Sequence, residues 1–175
     1  FDTWSDWRLW PVHAITGLTV DGTIITSGRE RAPKAEYNGG EVRVSGTMLE
    51  HNSPRRESTY RRRFVVTAAG VEIESAVEGG KFAELYETLP VFLGDAKQKD
   101  VNCQIEFQKD EPTGKTRAVR IARFAGSITI TFDRPRNVTL SPSVWKDGYQ
   151  SSAQCRNLMI DLLDGQPEVR YTIKP

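Results

Sequence analysis

The sequence lacks the features that identify several common classes of protein. No apolar stretch approaches the roughly 20 residues of a membrane-spanning helix, and the formal net charge is only +1, unlike a strongly basic nucleic-acid binder. Nucleophile elbow, P-loop and dinucleotide-binding glycine motifs are absent as well. We therefore expect no membrane span and no nucleic-acid partner, and motifs alone assign no enzyme class.

Cysteine and histidine are scarce, with two residues of each in the 175. They lie at His13, His51, Cys103 and Cys155, a spacing that fits no zinc site, so we expect no structural metal and no cofactor. The two cysteines are predicted to be buried free thiols, because a domain of this size does not need a disulfide bond to be stable. A disulfide in an oxidising compartment is the alternative.

Helical patterns are nearly absent, whereas apolar and polar residues alternate with a period of two from residue 13 onward. The segment from Lys81 to Leu93 fits either a short helix or a bent strand running through Pro90, and we favour the strand. Turn signals such as Asn38-Gly39-Gly40 and Ala69-Gly70 recur at short intervals. About a dozen short strands fit between these turns. This pattern predicts an all-β fold, an antiparallel β-sandwich of jelly-roll or supersandwich type.

The whole chain, residues 1–175, is predicted to form a single domain, with 1–12 as an aromatic lead-in segment. It starts with Phe1 instead of methionine, so we expect a mature or trimmed product. Removal of a signal peptide would make the protein secreted or periplasmic, and a missing upstream domain is the other explanation.

Three tryptophans stand three residues apart in the lead-in "WSDWRLW". This spacing stacks Trp4, Trp7 and Trp10 along one side of a short helical turn, where exposed rings would offer a platform for sugars. The alternative, which we favour, is that the rings are buried against the sandwich, because so much aromatic area in water is a liability.

Five arginines crowd the segment 51–64, "HNSPRRESTYRRRF". On a continuous strand Arg61 and Arg63 point outward, where the strand after Ala69-Gly70 supplies Glu72 and Glu74 as cross-strand partners, and Arg62 lies inward or at the end of the sheet.

Arg55 and Arg56 differ, because Asn52-Ser53-Pro54 predicts a loop before them. Arginine forks bind carboxylates and sulfates through two hydrogen bonds, which suits an acidic polysaccharide. An ordinary surface loop is the alternative.

His13 lies between the tryptophans and the first predicted strand in "WPVHAITGLTVDG". Its side chain suits a general acid or base near neutral pH. A hydrogen-bonded strand residue is the plainer interpretation, since no serine or cysteine nucleophile stands at a recognised spacing.

The stretches "WPVHAITGLTVDG", "RERAPKAEYNGG" and "STYRRRFVVTAAGVEIESAVEGG" resemble, in order, the C-terminal β-domain of heparinase II/III-like polysaccharide lyases. The resemblance implies a histidine contributed to a cleft formed with a helical toroid that this sequence does not contain. His13 is the position that matches that role, although Ala14 follows where the family favours asparagine. The resemblance therefore implies an accessory or excised β-domain.

"RESTYR", "CQIEF" and "VWKDGYQ" resemble, in order, the three strand motifs of single-domain alginate lyases of jelly-roll fold. Glu106 replaces the catalytic histidine of that family and Trp145 replaces its first tyrosine, which argues against an active enzyme. The resemblance still implies that a sugar groove is lined by Arg56, Gln104, Lys146 and Tyr149, and Trp145 is a further candidate for sugar binding.

Together these patterns predict a carbohydrate-associated domain that binds a polysaccharide, with an acidic one favoured by Arg55 and Arg56. Trp4 and Trp7 would add stacking platforms. We expect this chain alone not to be an enzyme; if it is one, it is a polysaccharide lyase with His13 and Tyr149 as the catalytic candidates. A structural domain without a sugar site is the remaining alternative.

Overall fold

The computed structural model describes residues 8, 13–29, 33–50, 58–94, 103–123, 126–142, 144–146 and 154–175. Within this part of the chain fifteen strands alternate with short turns and one 3₁₀ turn at Ser27–Arg29. The strands are β1 (Ala14–Thr19), β2 (Ile24–Thr26), β3 (Lys34–Asn38), β4 (Glu41–Thr47), β5 (Leu49–Glu50), β6 (Ser58–Thr67), β7 (Gly70–Gly79), β8 (Phe82–Gly94), β9 (Gln104–Lys109), β10 (Thr116–Arg123), β11 (Gly126–Arg136), β12 (Val138–Leu140), β13 (Trp145–Lys146), β14 (Gln154–Asp161) and β15 (Glu168–Lys174).

Two antiparallel sheets form a sandwich. The seven-stranded sheet has the order β12-β14-β8-β1-β2-β5, with β13 pairing with β14, and the eight-stranded sheet has the order β3-β4-β6-β7-β15-β11-β10-β9. The predicted all-β sandwich is thus confirmed, with somewhat more strands than expected. No helix among the described residues has the length and apolar character needed to cross a membrane.

The segment with two interpretations, Lys81 to Leu93, is a strand. In β8 the side chains of Leu85, Leu89 and Val91 alternate into the core between the sheets. Pro90 lies past Thr88, the last described β8 residue that pairs with β1, so its missing N–H removes no bond to that neighbour.

The two sheets differ in what lies on their outer faces. At the centre of the seven-stranded sheet the side chains opposite the core are buried too, with Thr16, Thr88 and Met159 at most 3% exposed. Arg8 contacts this face, because its guanidinium binds Glu84 on β8 at 2.6 Å. The outer face of the eight-stranded sheet carries charged and largely accessible side chains, which makes it the free face of the molecule among the described residues.

The turn between β6 and β7 yields a test of the fold. Gly70 has a φ of 143°, and a Cβ at this position would lie 2.2 Å from the backbone oxygen of Ile173. Gly114 has a φ of 67° with nothing within 4 Å of its Cβ. We expect Gly114→Ala to cost about 1 kcal/mol and Gly70→Ala roughly 3 kcal/mol or more. Urea unfolding of the two variants checks this, and equal losses would contradict the close approach of β15.

Candidate functional site

The outer face of the eight-stranded sheet is built from side chains that share one phase of the strand alternation. In β6 the residues Ser58, Tyr60 and Arg62 are buried, whereas Thr59 and Arg61 are exposed. Successive residues of a strand point to opposite faces, so Arg61 and Arg63 point outward. Residues paired directly across adjacent strands share a face, so the partners of Arg61 and Arg63 also point outward. The register therefore defines rows of outward side chains that run across the sheet.

Two such rows cross five strands, β3-β4-β6-β7-β15. In the first row the neighbours are Lys34, Ser45, Arg61, Ala76 and Glu168. In the second row they are Glu36, Arg43, Arg63, Glu74 and Arg170. Four strand spacings of about 4.8 Å give these rows a span of about 19 Å.

A cavity of about 630 Å³ lies over the two rows and is lined by all ten of these residues together with Asp133. The small side chains of Ser45 and Ala76 lie between long charged ones, so they form its floor. A second cavity of about 500 Å³ shares Lys34, Ser45 and Arg61 with the first. The two cavities therefore make one extended groove, which we call the outer groove.

The second cavity continues the outer groove by one more row, formed by Thr47, Thr59 and Glu78. Hydroxyl groups are thus concentrated toward one end of the groove and charged groups toward the other. The volume of each cavity is within the usual range of ligand sites, about 300–1,000 Å³.

The charged side chains of the outer groove are held by ion pairs. Arg63 donates to Glu41 at 2.8 Å and lies 3.6 Å from Glu74, and Arg170 binds the same Glu74 at 2.7 Å. The predicted pair of Arg63 with Glu74 is therefore confirmed. Arg61 binds neither predicted acid and lies 3.1 Å from Glu78, because its direct cross-strand neighbour is Ala76.

Ion pairing also shifts the pKa values of Glu36 in the groove and of Glu41 beside it. Hydrogen bonds from Arg63 and Arg43 hold the pKa of Glu41 below its ordinary value, and a hydrogen bond from Lys34 does the same for Glu36. Both carboxylates are consequently ionised near neutral pH. The groove presents fixed acceptors beside its guanidinium donors.

Beneath the outer groove a second constellation, the Glu87 cluster, joins the two sheets. It consists of His13, Arg62, Glu87 and Tyr171. Glu87 is fully buried at the centre of the seven-stranded sheet and points across the core toward the eight-stranded sheet. Its Oε1 atom accepts hydrogen bonds from Arg62 at 2.6 Å and from the Tyr171 hydroxyl at 2.7 Å, and His13 Nε2 lies 3.0 Å away.

Arg62 uses its whole guanidinium in this cluster. Its Nε donates to the Ser75 hydroxyl at 3.2 Å and its Nη1 to the backbone oxygen of His13 at 3.1 Å, while the group lies over the ring of Phe64. Of the two positions expected for Arg62, inward or at the end of the sheet, the structure shows the inward one. Arg62 thereby ties β6 of one sheet to β8 and to the start of β1 in the other.

The electrostatics of the Glu87 cluster favour a charged carboxylate. Burial alone would raise the pKa of Glu87, but the Arg62 charge and the bonds from His13 and Tyr171 outweigh it and hold the pKa well below its ordinary value. Burial, followed by the negative Glu87, raises the pKa of Tyr171 well above its ordinary value. Glu87 therefore stays ionised and Tyr171 stays a hydrogen-bond donor, as anchoring groups do.

The predicted site residues fall in three places. His13 belongs to the Glu87 cluster and is partly exposed. Gln104 is exposed on β9, an outer strand of the eight-stranded sheet, whereas the backbone of Trp145 and Lys146 forms β13 of the other sheet, so the structure places Gln104 and Lys146 on different sheets. The remaining predicted residues lie outside the described residues: Trp4, Trp7, Arg55, Arg56 and Tyr149.

The two cysteines are free thiols. Cys155 is buried on β14, and burial raises its pKa to about 11, so the thiol is protonated at neutral pH. Cys103 is half-buried before β9. This agrees with the favoured interpretation of unpaired cysteines. The described residues contain no group of three or more His, Cys, Asp and Glu side chains placed to hold a metal ion.

The sequence interpretation did not identify Glu87, Tyr171 or the outer groove. A signal for Glu87 was present, because it shares the alternation phase of Leu85 and Leu89 and so falls on the buried face of its strand. An ionised carboxylate in that phase needs a buried partner, and an inward position was one of the two expected for Arg62. The outer groove had no comparable signal, since it depends on the register of five strands.

A double-mutant cycle tests whether Arg62 and Glu87 hold the sheets together as a pair. We expect Arg62→Met and Glu87→Leu each to cost roughly 3–5 kcal/mol, because each leaves an uncompensated buried charge, and the double variant to cost far less than the sum. Urea unfolding measures all three. The exposed pair Arg61 and Glu78 is the control and should show little coupling; additive losses at Arg62 and Glu87 would contradict the pairing.

Acid sensitivity tests the lowered pKa of Glu87. A carboxyl whose folded pKa lies below the ordinary value of 4.5 contributes stability that is present above that value and lost as the pH falls below it, by up to about 1.4 kcal/mol per pH unit. The free energy of unfolding of Glu87→Gln should therefore fall less steeply than that of the wild type between pH 5 and pH 3. This pH range is chosen because the loss of stability begins near the ordinary pKa. Tyr171→Phe, which removes one donor, should show an intermediate slope, and parallel curves for all three would contradict the assignment.

Comparison with known proteins adds a likeness of fold. No protein-family model and no curated protein matches the chain. Among solved structures, the fold is similar to part of the crystal structure of a 4-alpha-glucanotransferase from Thermococcus litoralis, with a TM-score of 0.56 and 10% sequence identity. The likeness covers 97% of this chain and 28% of that chain, so this chain spans less than a third of the neighbour's length. The β-sandwich of this chain is thus a fold also found within a 4-alpha-glucanotransferase.

Proposed function

We propose that this chain is a carbohydrate-binding domain and that a polysaccharide lies in the outer groove. The observation that carries the proposal is the outer groove itself, in which two joined cavities follow three rows of side chains across the free face of the eight-stranded sheet. An extended groove of this shape suits a linear chain of sugar rings better than a compact ligand.

The lining of the groove suits the chemistry of sugars. Each sugar hydroxyl both donates and accepts hydrogen bonds, and the groove offers donors such as Arg61 and Arg63 beside acceptors such as Glu74 and the hydroxyl of Ser45. Hydrogen bonds to charged groups contribute more than those between neutral groups, roughly 1.5–3 kcal/mol. A polysaccharide would therefore find partners along the whole groove.

Two resemblances support an accessory role. The similar part of the 4-alpha-glucanotransferase makes up 28% of that chain, which is the proportion of a minor domain. The β-domain of heparinase II/III-like lyases, to which the sequence has a resemblance, also works beside a larger domain. Membership of that lyase family, a catalytic role for His13 and a secreted location stay predictions.

The Glu87 cluster supports a binding function over catalysis by this chain. Its carboxylate is fully buried and held ionised, so it is a poor proton donor and a good anchor for Arg62. The cluster holds in place the strand that carries Arg61 and Arg63. In this proposal the core cluster is the support and the outer groove is the site.

Arg61 provides the test, because it lines both cavities. We expect Arg61→Ala to weaken polysaccharide binding at least about tenfold, through the loss of a charged hydrogen-bond donor. Affinity electrophoresis and calorimetry against neutral polysaccharides, including an α-glucan, and against uronic-acid polysaccharides would measure the change.

The matched control is Arg120→Ala. Arg120 lies on β10 of the same sheet, pairs with Glu106 at 3.6 Å and is not among the residues that line the outer groove. It should leave the affinity unchanged. If no polysaccharide binds the wild type, or if both variants bind as the wild type does, the proposed function is wrong.

A further inference from the structure

We infer that the outer groove selects neutral polysaccharides, which carry hydroxyl groups alone, and disfavours chains of uronic acids. This inference rests on the proposed function and specifies its ligand class. The distinction follows from how the charges of the groove are already satisfied before any ligand arrives.

The cations of the outer groove are already paired with carboxylates. Glu74 serves two arginines, Arg170 at 2.7 Å and Arg63 at 3.6 Å. Glu41 serves Arg63 at 2.8 Å and also Arg43 at 2.5 Å. The remaining pairs are Lys34 with Glu36 at 2.7 Å and Arg61 with Glu78 at 3.1 Å.

The first cavity of the outer groove is therefore nearly neutral as a whole. Five outward cations and four carboxylates line it, so the outward groups have a net charge of +1; the sixth cation of the lining, Arg62, points inward and is paired with Glu87. The cations are Lys34, Arg43, Arg61, Arg63 and Arg170. The carboxylates are Glu36, Glu74, Asp133 and Glu168.

A neutral sugar can use this arrangement without disturbing it. Carboxylate oxygens and guanidinium N–H groups both have hydrogen-bonding capacity beyond one ion pair, so a hydroxyl can donate to Glu74 and accept from Arg170 while their pair stays intact. No group has to lose its partner. The ion pairs favour one arrangement of the side chains, which reduces the entropy lost when the sugar binds.

A uronic acid meets the opposite situation. Its carboxylate only accepts hydrogen bonds, so it can use the spare N–H groups of an arginine but cannot donate to the protein carboxylate paired with that arginine. It also comes close to the other acids of the lining, and like charges at short range repel. Paired charges of this kind disfavour an anionic ligand because each arginine that could bind it has a carboxylate beside it.

The groove thus differs from the loop that suggested an acidic ligand. That expectation depended on Arg55 and Arg56, which lie outside the described residues, and it concerned arginines without assigned partners. The arginines of the outer groove have assigned partners, and their selectivity follows from those partners.

The experiment compares one glucan in two forms, a soluble neutral chain and the same chain oxidised at C6 to a polyuronate. We expect the wild type to bind the neutral form at least about tenfold more tightly, a difference that corresponds to a single unfavourable charge contact. Binding of the neutral form should change less than about twofold between low and physiological salt, because no net ion pair forms with the ligand.

Glu74→Gln turns the selectivity into a prediction about one residue. The variant keeps the size of the side chain but removes the carboxylate that pairs with Arg170 at 2.7 Å and with Arg63 at 3.6 Å, while Arg63 keeps Glu41 at 2.8 Å. We expect its affinity for the polyuronate to rise about tenfold and to become sensitive to salt, while its affinity for the neutral chain falls. Glu106→Gln makes the same charge change on β9 outside the groove and should alter neither affinity.

The possible results separate the two proposals. Binding of neither chain by the wild type would show that the proposed function is wrong. Preference for the polyuronate, with a loss of binding in Arg61→Ala, would keep the groove as the site and overturn the inferred ligand class. Preference for the polyuronate that is unchanged in Arg61→Ala would place acid binding elsewhere and overturn both.

Discussion

The ion pair between Arg62 and Glu87 is the constraint on which the rest of the structure depends. Both groups lie in the core of a sandwich whose other contacts are mostly apolar. Desolvating two charges costs several kcal/mol per ion, and this cost is offset only if Arg62, Glu87 and their bonding partners meet in one geometry. The pair therefore sets the position of β6 relative to β8, whereas apolar contacts alone would tolerate small shifts between the sheets.

The position of the outer groove follows from the same pair. A strand alternates sides with a period of two, so an arginine locked inward at 62 places Arg61 and Arg63 on the opposite face. A slip of β6 by one residue would expose Arg62 and bury its neighbours without partners. The buried cluster and the surface groove are two consequences of one register, although they lie on opposite faces of the sheet.

The sequence predicted the parts of the fold that depend on local patterns. Alternation identified the sandwich, favoured a strand over a helix for Lys81 to Leu93 despite Pro90, and put Arg62 inward or at the end of the sheet. It paired Arg63 with Glu74 because the two are neighbours in a hairpin, but it missed Glu78 as the partner of Arg61, since that contact is diagonal and depends on side-chain length. Hairpins are readable because turn residues fix their register.

The candidate site was less predictable, because it depends on contacts between distant parts of the chain. The two central rows of the groove join residues from Lys34 to Arg170, and no short stretch of sequence records which strands are neighbours in a sheet. Glu87 could be placed on the buried face from its phase, but the identity of its partners depends on which strand of the other sheet lies opposite. The resemblance to lyase motifs did not identify the site, because the matching residues His13, Gln104 and Lys146 lie on different parts of the fold.

The two walls of the outer groove differ in how firmly the sheet holds them. Lys34 and Glu36 stand on β3, which ends the eight-stranded sheet in the described structure and has hydrogen-bonded pairing with β4 alone. All five residues of β3 are exposed, so it can fray without opening the core. The opposite wall, on β7 and β15, lies within the sheet above buried residues. The groove therefore combines a rigid side with a yielding one, and its width can change while its arginines stay in register.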